Sequence, residues 1–434
     1  MTSDRRALTV WGVAVAAYVV AIMNRSSLGV ATLEVTGLFG VSSALLASMA
    51  VAQLVVYALL QVPVGVLLDR FGPRVLVATG ALGMAVGQTV LALAPSAAYV
   101  LAGRVLVGAG DALTFVSVVR LVPAWFAVRR VPLMTQLTGS IGQLGQVLSA
   151  VPVVALLHAT GWRSTFLSVA AAGLVAAIAV LAVVRDAPAV PDAPAAPDAV
   201  AGRAGLLRRP WRREPRAAVP REPGALRAVL RDPGARLAFW MHFSGQFSNH
   251  VVVLLWGYAF FVEGQGRTPG EASALLTLNV VATVVAGPVV GLVVGRHPGA
   301  RTPLALGVAG AIGLAWLAVT VPASPVPLAV LGVFVVVVAV GGPTSLVAFD
   351  VARSCTPAAR LGTATGFVNT GGFVGALATM LAVGLVLDRA GGGVRDLEAF
   401  RAAFAWVAVP WSLGILGMLL GRRSARRAHP GLAV

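Results

Sequence analysis

The chain has 434 residues, 58% of them hydrophobic and only 11% charged, with mean hydropathy +0.88. A water-soluble domain carries about 45–50% apolar and about 25% charged residues, so a cytosolic globular protein is excluded. The formal net charge is +17 and all 33 basic residues are Arg. Their placement, set out below, reads as membrane topology rather than as a nucleic-acid surface.

A helix needs about 20 apolar residues to cross a bilayer. Twelve stretches qualify, near 8–33, 43–68, 75–94, 98–125, 132–158, 164–184, 237–262, 270–294, 302–322, 326–352, 361–387 and 398–420. They are continuous and too long for the alternating strands of a membrane barrel, which leaves helices, whose backbone bonds are satisfied within the span. The first span follows Arg5 and Arg6 and runs longer than a signal-peptide core. With no convincing small-residue cleavage site before Asn24, it reads as an uncleaved helix. Arg25 lies past its middle.

After the second span the chain reads Gly65-Val-Leu-Leu-Asp69-Arg70-Phe-Gly72-Pro-Arg74, a GxxxDRxGxR pattern. Gly65 permits close helix approach. Asp69 falls at a span end, where a neighbouring helix N-terminus or an Arg can hold it. Arg70 and Arg74 belong at the inner interface. The fourth span carries Arg104, Gly108, Gly110 and Asp111, with Arg120 near its end. The fifth contains Gly139, Gly142 and Gly145, a packing seam.

Residues 185–236 break the apolar pattern. They begin with an Ala/Pro/Asp run and continue into an Arg-rich part with Arg203, Arg208, Arg209, Arg212, Arg213 and Arg216. That part reads as a solvated loop or as a segment lying on anionic headgroups. The expected organisation is a six-helix bundle over 1–184, a linker over 185–236, a second six-helix bundle over 237–421 and a basic tail over 422–434. In the seventh span His242, Gln246, Asn249 and His250 recur at helical spacing, a polar stripe facing inward. Gly291 to Arg296 is a degenerate second copy of the first motif, and Gly384 to Gly391 a further echo. Asp350 and Arg353 end the tenth span, and the eleventh reads Gly366-Phe-Val-Asn369-Thr-Gly371-Gly372. Repeated halves are the mark of secondary transporters, which rock one half against the other around a central site.

With the N-terminus in the cytoplasm, 25 Arg fall on that side and 5 on the other. This split places both termini inside. All-Arg usage fits a GC-rich genome, and the expected location is a bacterial-type inner (cytoplasmic) membrane. Cys355 is the single cysteine, and the five histidines show no HExxH spacing. No disulfide framework, metal motif or cofactor motif follows.

These features resemble the major facilitator superfamily. GxxxDRxGxR is similar to its signature loop between the second and third helices. Arg104 to Gly110 is similar to its fourth-helix RxxxGxG motif. The resemblance covers nearly the whole chain. It implies an all-α membrane fold of two pseudo-symmetric six-helix bundles, working by alternating access. A finer resemblance is to the anion:cation symporter group of sugar-acid and organic-anion carriers. It rests on Asn24-Arg25-Ser-Ser-Leu-Gly-Val-Ala, Gly108-Ala-Gly110-Asp111-Ala, Trp125-Phe126 and Gly161-Trp162-Arg163. In that group the first- and fourth-helix Arg contact the substrate carboxylate, and acids in those helices take the coupling proton. By position these are Arg25, Arg104 and Asp111. The group's first-helix acid is Asn24 here, which leaves Asp111. The fifth span lacks the GxxxGPxxGG of drug/proton antiporters, and the eleventh is faintly similar to the Asn/Gly-rich motif of nitrate carriers.

An ionisable residue inside a span costs at least about 2.5 kcal/mol, so each is a functional candidate. Arg25 reads as an anion anchor, or as a side chain snorkelling outward. Arg104 and Asp111 share one face about two turns, or ~10 Å, apart. Each therefore needs a partner from another helix or from the substrate. Arg25 is a reasonable partner for Asp111 in the empty carrier. A substrate carboxylate then displaces Asp111 and promotes its protonation; the alternative is a structural ion pair. Arg120 and Asp350, on counterpart helices, form an inner gate or are separate interfacial charges. Gln246, Asn249, His250 and Asn369 contact substrate or bond between helices. Gln53, Gln61, Gln136, Gln143, Gln146 and Asn279 read as packing glue, and Trp256 and Trp411 as interface anchors.

The expected protein is a monomeric, proton-coupled carrier of a small organic anion, with the lipid bilayer and its solute as partners. The alternatives are an efflux pump for drugs or metabolites, a nitrate/nitrite-type carrier, and a non-transporting sensor. A membrane enzyme would need a nucleophile, metal cluster or carboxylate pair, and the sequence offers none at usable spacing.

Overall fold

The computed structural model describes residues 3–28, 31, 35, 38–39, 43–188, 224–389 and 396–433. Most of the expected linker, including all six of the arginines named in it, lies outside these residues, as does Gly391. The described chain is helical. Its main elements are α1 (Ser3–Ser26), α2 (Ser43–Ala92), α3 (Ala97–Ala112), α4 (Phe115–Trp125), α5 (Val131–Gly142) and α6 (Val154–Val183) in the first group. The second group holds α7 (Pro233–His250), α8 (Pro269–Arg296), α9 (Arg301–Thr320), α10 (Leu328–Cys355), α11 (Leu361–Arg389) and α12 (Ala408–Ala428).

Among the described residues nine continuous helices are long and apolar enough to cross a bilayer, against the twelve stretches expected. The difference has local causes. Val51–Ala92 contains Gly72 at φ 77° and Val131–Val183 contains Gly161 at φ 77°. This left-handed backbone is open to glycine and strained for other residues. Both breaks fall where hydropathy separates two stretches, so each long helix is two arms. The chain after α7 passes through π-helical turns over Val251–Trp256 and Phe260–Gly264, so it is not one regular long helix. The fourth stretch is also interrupted, since α3 ends directly after Asp111 and α4 starts at Phe115.

Large apolar side chains such as Leu59, Val285 and Leu314 are exposed, while Gln53, Gln61, Arg104, Asp111 and His242 are buried. Apolar outside and polar inside is the arrangement for a lipid solvent. Within the first group α2 packs on α3 and α6; within the second, α7 packs on α10, α11 and α12. The groups meet where α2 lies on α11 and α5 on α8.

The α2–α11 seam depends on missing side chains. A Cβ at Gly65 would sit 2.6 Å from the Gly362 carbonyl oxygen, and one at Gly366 would overlap the Gln61 carbonyl. Gly366→Ala is therefore expected to lower stability by about 1–3 kcal/mol through overpacking. Gly12→Ala, where nothing lies within 4 Å, is expected to be neutral or stabilising by up to about 1 kcal/mol. Thermal unfolding in detergent checks the pair; equal melting of Gly366→Ala and the parent contradicts the seam.

Candidate functional site: a central polar cavity

The two groups enclose a cavity of about 650 Å³. Arg25, Gln53 and Arg104 line it from the first group, and Gln246, Asn249, His250 and Asn369 from the second. Tyr18, Tyr57, Phe115 and Phe373 add aromatic walls. Tyr57 and Phe373 meet across the groups with ring centroids 4.6 Å apart.

The charged residues form one cluster. Arg25 Nη1 lies 3.3 Å from Asp111 Oδ2; the Arg25 side chain is 25% exposed and that of Asp111 1%. Asp111 occupies the last turn of α3, whose end brings the carboxylate against α1. Arg104, two turns earlier, donates through Nη1 to the Asn24 carbonyl at 3.3 Å and through Nη2 to the Arg25 carbonyl at 2.6 Å. Nη2 also donates to Gln53 Oε1. Gly108 makes this possible, because a Cβ there would strike the Gln53 backbone. A Cβ at Gly110 would strike the Gly80 carbonyl on α2, so that glycine also serves close packing. Asn24 turns its side-chain amide to its own helix, donating to the Val20 carbonyl.

The cluster contains two guanidinium groups against one carboxylate, and several of its polar atoms are unengaged. Among the described residues Asp111 Oδ1, Gln136 Oε1, Asn249 Oδ1 and His250 Nδ1 lack a hydrogen-bond partner. Buried polar atoms are normally paired, and of these residues Gln136, Asn249 and His250 line the cavity, where water or a solute can meet them. On the facing wall Gln246 Nε2 lies 2.9 Å from His250 Nε2. The Gln246 oxygen accepts from Ser345 Oγ at 3.0 Å, and His242 Nδ1 accepts from the Gly372 amide at 3.2 Å.

Towards the Asp69 end the groups are joined. Asp69 Oδ1 accepts from the Gly362 amide, and Oδ2 from the Thr363 amide and hydroxyl, each at 2.7 Å. The carboxylate thus caps the positive end of α11. Arg120 Nη2 donates to the Ala358 carbonyl at 3.2 Å. Deeper in, Asn369 donates to Gln61 Oε1 at 2.7 Å, and Gln136 to the Pro343 carbonyl at 2.7 Å. Arg70 lies over the Phe71 ring. The Arg74 amide donates to Asp186 Oδ1 at 2.7 Å and its side chain to the Leu181 carbonyl. The turn at Gly72 lets the chain pass Asp186, which a Cβ would meet at 2.9 Å.

Two expectations are corrected. The Arg120–Asp350 gate is not formed: Asp350 pairs with Arg353 one turn along its own helix, at 3.0 Å, while Arg120 reaches the backbone before α11. Gln53 is more than packing glue, since it holds Arg104. Tyr18 and Tyr57 also belong to the site, and their signal in the sequence is scarcity: only four tyrosines occur in the chain, and these two lie within apolar stretches. Trp256 and Trp411 donate to the Met380 and Ala309 carbonyls, bonding their segments to α11 and α9.

An apolar helical shell around a two-sided polar chamber is the architecture of a membrane transporter. The Major Facilitator Superfamily model matches residues 14–380, and the chain belongs to that family, one of transporters rather than enzymes. A probable L-galactonate transporter of Escherichia coli K12 is 25% identical over 161 residues, 37% of this chain and 36% of that protein. A probable sulfoacetate transporter, SauU, of Cupriavidus necator is 25% identical over 163 residues, 38% of each. The chain therefore spans little more than a third of the length of these curated relatives. In fold it is similar to the E. coli fucose:proton symporter FucP, with TM-score 0.68, 13% identity and coverage of 95% of this chain and 98% of that one. A FucP structure in the outward conformation gives TM-score 0.68, 14% identity and coverage of 96% and 99%.

Removing one member of a buried ion pair costs about 3–5 kcal/mol because the other charge is left unpaired. Arg25→Gln is expected to destabilise the protein by that order. Asp111→Asn added to it should restore most of the loss. Thermal unfolding of the single and double variants checks this, and additive losses would contradict a direct pair.

Proposed function

We propose that this protein carries a small organic anion across the bacterial inner membrane by proton-coupled alternating access, acting as a monomer. The observation that carries the reading is the cavity's excess of cationic groups: Arg25 and Arg104 against Asp111 alone. A carboxylate or sulfonate would supply the missing negative charge and take charge-assisted bonds from the guanidinium edges. The two curated relatives, a probable galactonate and a probable sulfoacetate transporter, support an acid. The fold neighbour described as a proton symporter supports coupling to protons.

On this reading the chain crosses the membrane twelve times, with the breaks at Gly72 and Gly161 as turns between spans. Both termini face the cytoplasm, following the Arg distribution. The Asp69 end is then cytoplasmic and latched, and the cavity serves the outer side. An anion entering there engages Arg25 and Arg104 and competes with Asp111 for Arg25. Asp111, deprived of its counter-charge in a dry setting, takes a proton, which keeps the buried charge balanced. The neutralised cluster tolerates closure of the outer end. Asp69 then leaves the α11 N-terminus, the α2–α11 and α5–α8 seams part, and anion and proton leave together. Gln246, Asn249, His250 and Asn369 orient the non-acid part of the solute, as suits the hydroxyls of a sugar acid.

Proteoliposomes with an imposed proton gradient test this. L-galactonate is expected to accumulate, and fucose, lacking a charge, is not. Asp111→Asn should abolish gradient-driven accumulation while leaving counterflow partly intact; undiminished accumulation by that variant removes Asp111 from the mechanism. Arg104→Gln is expected to weaken galactonate binding by at least about tenfold, the loss of one charge-assisted hydrogen bond of about 1.5–3 kcal/mol.

A further inference from the structure

Far from the cavity, three single residues of three donor types converge. Asp232 precedes α7, Cys355 ends α10, and His429 follows the last residue of α12. One carboxylate oxygen, the thiol sulfur and one ring nitrogen all lie within 4.8 Å of one another, and all three residues are half-buried. His429 Nε2 is 2.8 Å from Asp232 Oδ2, although the two residues are 197 apart in the chain. Asp232 Oδ1 accepts from the Ala235 amide at 2.7 Å. This N-cap bond fixes the carboxylate and turns its other oxygen toward the cluster. Gly234 supplies the room: a Cβ there would collide with Cys355 Sγ and lie 2.7 Å from its Cβ. Backbone bonds from His429 to the Ala425 carbonyl, and from Leu432 to the His429 carbonyl, hold the histidine on the end of α12.

We infer that Asp232, Cys355 and His429 form a binding site for a borderline-soft divalent cation, Zn²⁺ being the best match. Zinc takes sulfur, imidazole nitrogen and carboxylate oxygen at about 2.3, 2.0 and 2.0–2.2 Å in tetrahedral geometry. Such ligands stand about 3.3–3.7 Å apart. The His429 and Asp232 atoms must open by about half an ångström from their hydrogen bond, and Cys355 must swing in from its present contacts with the Val351 and Ala352 carbonyls. On binding, the thiol loses its proton to solvent. The hydrogen between His429 and Asp232 moves to Nδ1, freeing Nε2 for the metal. Thiolate and carboxylate then cancel the two positive charges. That balance suits a site flanked in sequence by Arg231, Arg426 and Arg427, where a neutral-ligand site would suffer net repulsion. A thiolate ligand disfavours Mg²⁺ and Ca²⁺, which take oxygen. With three protein ligands the fourth position stays open to water. A bound ion would tie the tail after α12 to the start of α7.

Co²⁺ is the probe, added to the purified, tag-free full chain in detergent. One equivalent is expected to give a thiolate-to-cobalt charge-transfer band with the visible absorption of tetrahedral cobalt, and Zn²⁺ should bleach both. Cys355→Ser, His429→Gln and Asp232→Asn should each weaken binding by at least about tenfold. Asn is as good an N-cap as Asp, so the last variant removes the ligand charge while keeping α7 capped. In the parent protein Zn²⁺ should slow maleimide labelling of Cys355, the only cysteine in the chain; this readout needs no variant to fold. Absence of a thiolate band, a band that survives Cys355→Ser, or labelling indifferent to Zn²⁺ would each overturn the site.

Discussion

Everything in this molecule answers to one charge cluster in an apolar bundle, with Arg104 and Asp111 buried and Arg25 half-buried beside them. A lone ion at such depth is costly, so the surrounding helices are arranged to satisfy each charge. The end of α3 brings Asp111 to Arg25. The Asn24 and Arg25 carbonyls and the Gln53 amide oxygen receive Arg104. Those devices neutralise one guanidinium with a carboxylate and the other with dipoles only. What remains is a chamber with two guanidinium groups and one carboxylate at its wall, and that charge count, more than the fold, is what the proposal of an anionic solute rests on.

A second constraint concerns how the two groups touch. The two groups meet along glycine-lined contacts and through hydrogen bonds to backbone ends, with the Asp69 carboxylate against the first amides of α11 as the strongest. Side chains also meet across the seam, Tyr57 with Phe373 and Asn369 with Gln61. The Asp69 contacts can be broken as a unit, since one carboxylate holds three donors. The same carboxylate would keep the chamber shut at that end until the charge cluster is rebalanced. The link between the two is the helix pair α2 and α11, which carries Asp69 and Gln61 on one side and Gly362, Thr363 and Asn369 on the other.

Much of the architecture was legible because hydropathy is a long-range, additive signal. The apolar helices, and the gaps that hold the breaks at Gly72 and Gly161, follow from it. So does the inward polar stripe of α7, because helical period fixes which residues share a face. Contacts between helices depend on axial register, to which composition is blind. That is why Arg120 and Asp350, both near helix ends on counterpart elements, looked like partners. In the fold Asp350 finds Arg353 one turn away on its own helix. Gln53 was hidden for the same reason: an amide in a span looks alike whether it bonds a backbone carbonyl or a buried guanidinium. The π turns after His250 leave no periodic mark, and the Asp232–Cys355–His429 trio has no spacing to detect.

The central claim is that anion and proton meet at one charge cluster, and proton uptake on binding tests it most directly. Purified protein in weakly buffered detergent solution with a pH-sensitive dye should take up about one proton per chain when L-galactonate is added, and the Asp111→Asn protein should take up none while still binding. Binding by the parent without proton uptake, or undiminished uptake by the variant, would contradict the account.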